Sequence, residues 1–350
     1  MSSLLDAMIA YAKANRQRLH TPGHKGKLWA GRVSNIAELD ITELGLEVSD
    51  LAVGGRVFPR DLLVKAEVKA ANSYRAKAAR LLTGGASQGI KAAIMALDGD
   101  IIMGADSHRS IHEGLRLSRR RGIIVYNDTT KEGLAKPLSV EQIHSAYLNN
   151  PHAKAVLITS PTYYGVSSQD MAKAAGTIHD LGLRIIVDSA HGAHFGMHKA
   201  LPKQWSEYAD ITVLSGHKTL SVLTQGAYLC INDISLVDAI DDSLRLLGTT
   251  SPSYLILASL EHAIESISHH ARKLVPRALS RIDRWLAEFG RYYGKAPRVI
   301  TDDPLRVVMD AGALGMTGFE LEASERERGI ECELATDRMV VYIFGLEDSI

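Results

Sequence analysis

An α/β fold, with a mainly parallel sheet in a large domain and a small α+β domain at the carboxyl end, is predicted by three features of the sequence. Apolar runs at residues 101–103, 123–126, 155–159, 183–187, 211–214 and 227–231 read as short strands buried on both faces. Helix-like stretches separate them as far as the fifth run, and such alternation places helices on both faces of the sheet. After Lys295-Ala296-Pro297 the pattern turns to strand (305–309), helix (319–328) and strand (339–344).

Residues 4–13 read as a short helix, and 20–60, rich in Gly, Pro and polar residues, as an arm or a substrate-facing loop region. From 62 to 82, Val64, Val68, Ala71, Ala78 and Leu82 recur at helical spacing, which predicts helix throughout. The turn Thr83-Gly84-Gly85-Ala86-Ser87-Gln88-Gly89 then feeds another helix. The fifth and sixth strands have no helix between them, so a hairpin or sharp return is expected there. Helical patterns occupy 254–270 and 274–289. The expected organisation is an arm over 1–60, a large domain over 61–290 and a small domain over 291–350.

Lys+Arg and Asp+Glu balance at 40 each, which offers no basic field to nucleic acid. Two cysteines, Cys230 and Cys332, are too few for a disulfide framework, and no Cys/His spacing resembles a metal site. The segment Met1-Ser2-Ser3-Leu4-Leu5-Asp6 lacks the basic and apolar regions of a leader, and no stretch is long enough to span a bilayer. A soluble, cytoplasmic protein is expected.

The chemistry centres on Asp188, which ends the run Ile185-Ile186-Val187, and on Lys218 in Ser215-Gly216-His217-Lys218-Thr219. Both follow buried strands, so an acid and an amine emerge at the carboxyl edge of one sheet, where open α/β sheets bind ligands. A lysine there can form a Schiff base with a carbonyl cofactor, while an aspartate keeps a pyridine nitrogen protonated. Pyridoxal phosphate chemistry is the implication, although strand-end caps and surface ion pairs account for many such residues. The stretch Gly84 to Gly89 before an apolar helix offers backbone donors, a hydroxyl and a helix amino terminus to a phosphate, and Ser215 and His217 can add donors. His108, after the strand at 101–103, can stack on a ring or simply be a hydrogen-bonded loop histidine. Thr159-Ser160-Pro161-Thr162-Tyr163-Tyr164-Gly165 brings hydroxyls and phenols to the same edge.

These motifs, with His20-Thr21-Pro22-Gly23-His24-Lys25-Gly26, Asp40-Ile41-Thr42-Glu43-Leu44, Leu223-Thr224-Gln225 and Thr249-Thr250-Ser251-Pro252-Ser253-Tyr254, resemble the bacterial ornithine, lysine and arginine decarboxylases of the aspartate-aminotransferase fold. The resemblance implies a three-layer pyridoxal-phosphate-transferase large domain and decarboxylation of a basic amino acid to a polyamine-type amine. It implies the Schiff base at Lys218 and the pyridinium partner at Asp188. Ala86, Ser87, Ser215 and His217 are then expected at the phosphate, His108 stacked on the ring, Ala190 against its other face and Thr162 nearby. His191 is expected beside the substrate, and Thr250 and Ser251 at the phosphate of a neighbouring subunit, in a homodimer with shared sites. His24 and Lys25 are expected at the substrate entrance, and Glu43, Glu47 and Asp50 are candidates for the distal cation. Two departures stand out. Thr83-Gly84-Gly85-Ala86-Ser87 replaces the family's Asn-Gly-Thr-Thr or Asn-Gly-Thr-Ser turn, and the receiver-like amino-terminal wing is missing, as in a compact form whose small domain is abbreviated or incomplete.

Three other readings remain open on the residues. An aminotransferase would clamp the substrate carboxylate with Arg306 or Arg338, and a cysteine-desulfurase-like lyase would need Cys332 or Cys230 as nucleophile. A homologue that binds the cofactor without turnover is the third.

Overall fold

The computed structural model describes residues 60–346 together with Ser3, Leu4 and Asp6. Its larger sheet contains β1 (Ala78–Leu82), β2 (Asp100–Gly104), β3 (Gly122–Val125), β4 (Ala153–Thr159), β5 (Arg184–Asp188), β6 (Ile211–Ser215) and β7 (Ala227–Ile231). The spatial order is β1-β7-β6-β5-β4-β2-β3. β7 is antiparallel to both its neighbours, and the other pairs are parallel. All six strand expectations are met, and the missing helix between the last two is a hairpin-like return that pairs Ser215 with Ala227.

The period-2 geometry of a strand explains the layers. Along β4, Ala155 and Leu157 pack with Ile90, Ile94, Ile111 and Leu115 of helices α2 (Gly85–Met95) and α3 (Arg109–Ser118). Val156 and Ile158, pointing the other way, pack with Ile143 and Ile178 of α4 (Val140–Asn149) and α5 (Met171–Asp180). The result is the expected three-layer sandwich.

One expectation fails. The stretch 62–82 is a helix, α1 (Arg60–Ser73), only in its first part, and its remainder is β1. The helix ends where Arg75 turns left-handed at φ 54° and Tyr74, buried, donates its hydroxyl to the Ala193 carbonyl at 2.8 Å. Ala78 and Leu82 then pair with Ile231 and Ala227 at the two ends of β1. Alanine-rich sequence favours helix, but pairing along the whole of β7 decides the outcome.

After α6 (Val237–Leu247), the patterns at 254–270 and 274–289 form one 40-residue helix, α7 (Tyr254–Tyr293). Ser253 caps its start through the Ile256 N–H, and Gly294 at φ 79° ends it. Pro276 lies inside it and forfeits a backbone donor, yet the buried stripe from Ile256 through Ile264, Ala271 and Val275 to Phe289 holds the helix on course. The same stripe packs on Leu214 and Tyr228 of the large sheet and on Val307 and Val340 of a second one. That four-stranded antiparallel sheet has the order β10-β11-β9-β8, from β8 (Arg298–Val299), β9 (Arg306–Asp310), β10 (Leu334–Ala335) and β11 (Met339–Ile343). Helix α8 (Gly318–Glu327) starts in a Thr317/Glu320 capping box.

Most of the helix expected over 4–13 and all of 20–59 lie outside the described residues, and with them His24, Lys25, Glu43, Glu47 and Asp50. Leu4 and Asp6 are helical, and buried Leu4 donates its N–H to Glu261 of α7 at 2.8 Å.

Candidate active site

Strands β1, β2, β4, β5 and β6 all end at the same edge of the large sheet, and a cavity of about 660 Å³ lies there. Asp188 and Lys218 both line it, as do Ala86, Ser87, His108, Thr162, Ala190, His191, Ser215 and His217. Thr250 and Ser251 do not. They are exposed in the connection between α6 and α7.

Asp188 ends β5, where its register partner is Val213 of β6, and a short turn at Gly216–Lys218 follows β6 directly. The carboxyl is buried and accepts the Ala190 N–H at 3.1 Å. Burial pushes it above the usual carboxylate range, against that hydrogen bond and the Lys218 charge, so a cation placed beside it would relieve a real cost. Burial likewise pushes the Lys218 amine below its ordinary value, while Asp188 opposes the shift.

On the wall of the same cavity, α2 follows its N-cap Gly84 with no side chain capping its free N–H groups. Gly85 sits at φ 76°, and its N–H donates to the Gln225 carbonyl at 2.8 Å, which ties this turn to the strand end beside Lys218. Ser215 is buried and does not cap the turn that follows it. His217 donates Nδ1–H to the Gly226 carbonyl at 3.2 Å. His108 caps α3, accepting the Ser110 N–H at Nδ1, so its local structural role is present alongside its place on the cavity wall.

His191 is held from two sides. Its Nε2 lies 2.9 Å from Lys218 Nζ, and its Nδ1 lies 2.7 Å from the Arg306 guanidinium. Tyr163 meets the imidazole edge-on at 5.1 Å and donates its hydroxyl to Glu333 at 2.7 Å. Burial, then the positive charges of Arg306 and Lys218, push His191 well below the usual imidazole range.

Arg306 and Arg338 part ways here. Arg338 is an exposed partner of Asp310, whereas Arg306 is fully buried with Nε and Nη1 lacking hydrogen-bond partners. Neither cysteine lines the cavity. Cys230 is buried in β7, and Cys332 is half-buried with its thiol pushed up to about 11, chiefly by burial. A thiol nucleophile is therefore missing from the cavity among the described residues. Sequence reading missed Glu333, Asp106 and the Gln225 carbonyl. Asp106 stands at the end of β2 beside His108, where a polar residue after an apolar run was the available signal.

These residues fit pyridoxal phosphate: an amine for its aldehyde, a buried acid for its ring nitrogen, and an uncapped helix start with hydroxyls for its phosphate. Thr159 also lines the cavity, and its buried hydroxyl has no hydrogen-bond partner. No helix among the described residues is long and apolar enough to cross a membrane.

Comparison with known proteins agrees. The chain is 30% identical to an uncharacterised protein of Bacillus subtilis, YaaO, over 98% of its own length and 74% of that protein's. It is 27% identical to an arginine decarboxylase of Halalkalibacterium halodurans, over 99% and 74% of the two lengths. A constitutive lysine decarboxylase of Escherichia coli shares the fold with a TM-score of 0.76 at 18% identity; the match covers all of this chain and 58% of the other. A Thermus thermophilus aspartate aminotransferase matches with a TM-score of 0.56 at 18% identity, over 80% and 81%. The model of the Orn/Lys/Arg decarboxylase major domain matches residues 2–291. The chain thus belongs to the ornithine/lysine/arginine decarboxylase family, pyridoxal-phosphate enzymes of the aspartate-aminotransferase fold.

Proposed function

We propose that this protein removes the α-carboxylate of a basic amino acid, arginine, lysine or ornithine, as carbon dioxide, and that it does so as a cytoplasmic homodimer with shared sites. The observation that carries this reading is the convergence of Lys218, Asp188 and the uncapped start of α2 on one cavity. Bound pyridoxal phosphate supplies the electron sink for cleavage of the carboxylate bond.

The chain's own residues do the rest. Lys218 would hold the cofactor through its amine, the charged form of which burial disfavours. Asp188 would keep a proton on the ring nitrogen, and its burial would strengthen that interaction. Ser87, Ser215, His217 and the N–H groups at the start of α2 anchor the phosphate. His108 and Ala190 line the cavity where the ring would lie, and either Lys218 or His191 returns a proton to the carbon that lost its carboxylate. In the dimer, Thr250 and Ser251, unused in their own chain, reach the partner's phosphate.

The test is carbon dioxide release from arginine, lysine and ornithine by the purified protein, with Lys218→Ala as control. Release from one of them that the control lacks supports the reading. Equal release from both proteins, or none from any, refutes it. Borohydride reduction of the loaded protein should place the cofactor on Lys218, and label found elsewhere would remove the central assignment.

A further inference from the structure

We propose that Arg306 is a positioning residue that fixes the tautomer of His191, so that a neutral His191 orients the uncharged Lys218 amine as a hydrogen-bond donor and is not itself a proton carrier. Donors and acceptors decide the tautomer. A guanidinium has only N–H donors, so at 2.7 Å His191 Nδ1 must be the acceptor and bear no proton. A neutral imidazole then carries its hydrogen on Nε2, the atom 2.9 Å from Lys218 Nζ. The amine nitrogen therefore offers its lone pair and accepts. Two alternatives fail. Lys218 as an ammonium donor would leave both ring nitrogens bare, an imidazolate. A doubly protonated imidazolium would set Nδ1–H against the N–H of Arg306.

Arg306 is built to hold this position. It opens β9, its N–H donates to the Asp303 carbonyl at 3.1 Å, and Asp303 in turn bonds His194 at 2.9 Å. Gly165 leaves no freedom on the other side: a Cβ there would fall 2.9 Å from Arg306 Cβ and 3.1 Å from Cγ. The groups facing His191 are Arg306 from β9, Lys218 after β6, His108 at the head of α3, the Tyr163 ring and, further off, His194. The ionisable groups among them disfavour an imidazolium, in keeping with its depressed basicity, and burial similarly favours the uncharged Lys218 amine.

A consequence follows for the proposed reaction, on which this part of the inference rests. Proton donation from a neutral His191 would leave an imidazolate, so His191 is not the source; Lys218 returns the proton only after its nitrogen has left the Nε2–H and taken up the proton that the substrate ammonium sheds on binding.

Nitrogen-15 spectra of histidine-labelled protein, with the His191 signal assigned by its loss in His191→Gln, give the test, and they need no substrate. The expected result is Nε2 protonated and Nδ1 bare from about pH 6 to 9, the range that brackets an ordinary imidazole near 6.5. A proton on Nδ1, or titration near the ordinary value, overturns the proposal. The unsubstituted protein alone decides this, so an Arg306 variant that folds poorly leaves no gap. In Arg306→Met, His191 should titrate and a new limb should enter the kcat profile; a rise in KM with an unchanged pH profile would instead mark Arg306 as a carboxylate anchor. His191→Gln, which retains an N–H, should lose less than about tenfold in kcat, and His191→Phe about a hundredfold, the scale on which a misplaced reacting group slows turnover. Equal losses would count against the donor role. A chain inactive on every amino acid could still give the expected spectrum, which separates failure of this inference from failure of the decarboxylase reading.

Discussion

His194 Nε2 and Asp303 Oδ1 lie 2.9 Å apart, and both side chains are completely shielded from solvent. The contact spans the two sheets. His194 Nδ1 is 3.2 Å from the Thr219 hydroxyl, next to Lys218, while Asp303 precedes β9 and accepts the Arg306 N–H through its backbone. Two histidines close in sequence thus bind the lysine turn to the strand of Arg306, one through Asp303 and one directly.

That geometry predicts a stability effect. Burial pushes the Asp303 carboxyl up, but the charge and hydrogen bond of His194, aided by Arg306, outweigh it and hold the group below the usual carboxylate range. A folded-state value below the unfolded one means that the contribution is present above about pH 4, the unfolded value, and is lost as pH falls through the folded value. Thermal melts between about pH 2 and 7 should show this loss. His194→Ala, which strips a buried carboxylate of its histidine partner, should cost about 3 kcal/mol near neutrality. A variant as stable as the parent would show that the pair is not held as described.

Asp188→Asn should load cofactor but turn over slowly. An amide cannot balance a protonated ring nitrogen, and loss of one buried electrostatic partner is worth about a hundredfold to a thousandfold. Borohydride labelling at Lys218 measures loading, and carbon dioxide release measures turnover. Near-normal turnover in a loaded variant would remove Asp188 from its role.

Gly85→Ala tests the phosphate end. At φ 76° an alanine is strained by about 1–2 kcal/mol, although the nearest atom to its Cβ, the Gln225 carbonyl oxygen, is 3.9 Å away. Relaxing that strain tilts the first N–H groups of α2, so the affinity for pyridoxal phosphate should fall about tenfold, which corresponds to 1.4 kcal/mol. Equilibrium titration of cofactor absorbance reads this directly, and an unchanged affinity would argue against the α2 start as the phosphate anchor.

Much of this was legible because buried parallel strands announce themselves as apolar runs, and polar residues just past such runs collect at one edge. Asp188, Lys218 and His108 follow from that rule alone. The strand β1 was not legible, because Ala78 and Leu82 also fit a helical period and only pairing with β7 selects strand. Arg306 was named only as a carboxylate clamp. Its contact with His191 joins residues 115 positions apart, and no local pattern encodes such a contact. Glu333 was invisible for the same reason, since its link is to Tyr163 across 170 positions.

The exposure of Thr250 and Ser251 leads to the last prediction. If they complete the partner's phosphate site, Lys218→Ala chains and Thr250→Ala/Ser251→Ala chains should each be impaired as homodimers, for different reasons. A hybrid of the two contains one site with an intact lysine from one chain and intact hydroxyls from the other. Mixing the variants under conditions that exchange subunits should therefore restore activity, up to about a quarter of the parent's when hybrids form at random and each site acts independently. The other site of each hybrid carries both defects and stays silent. Activity that equals the sum of the separate variants, in a mixture shown by tagged purification to contain hybrids, would place these hydroxyls outside the partner's site.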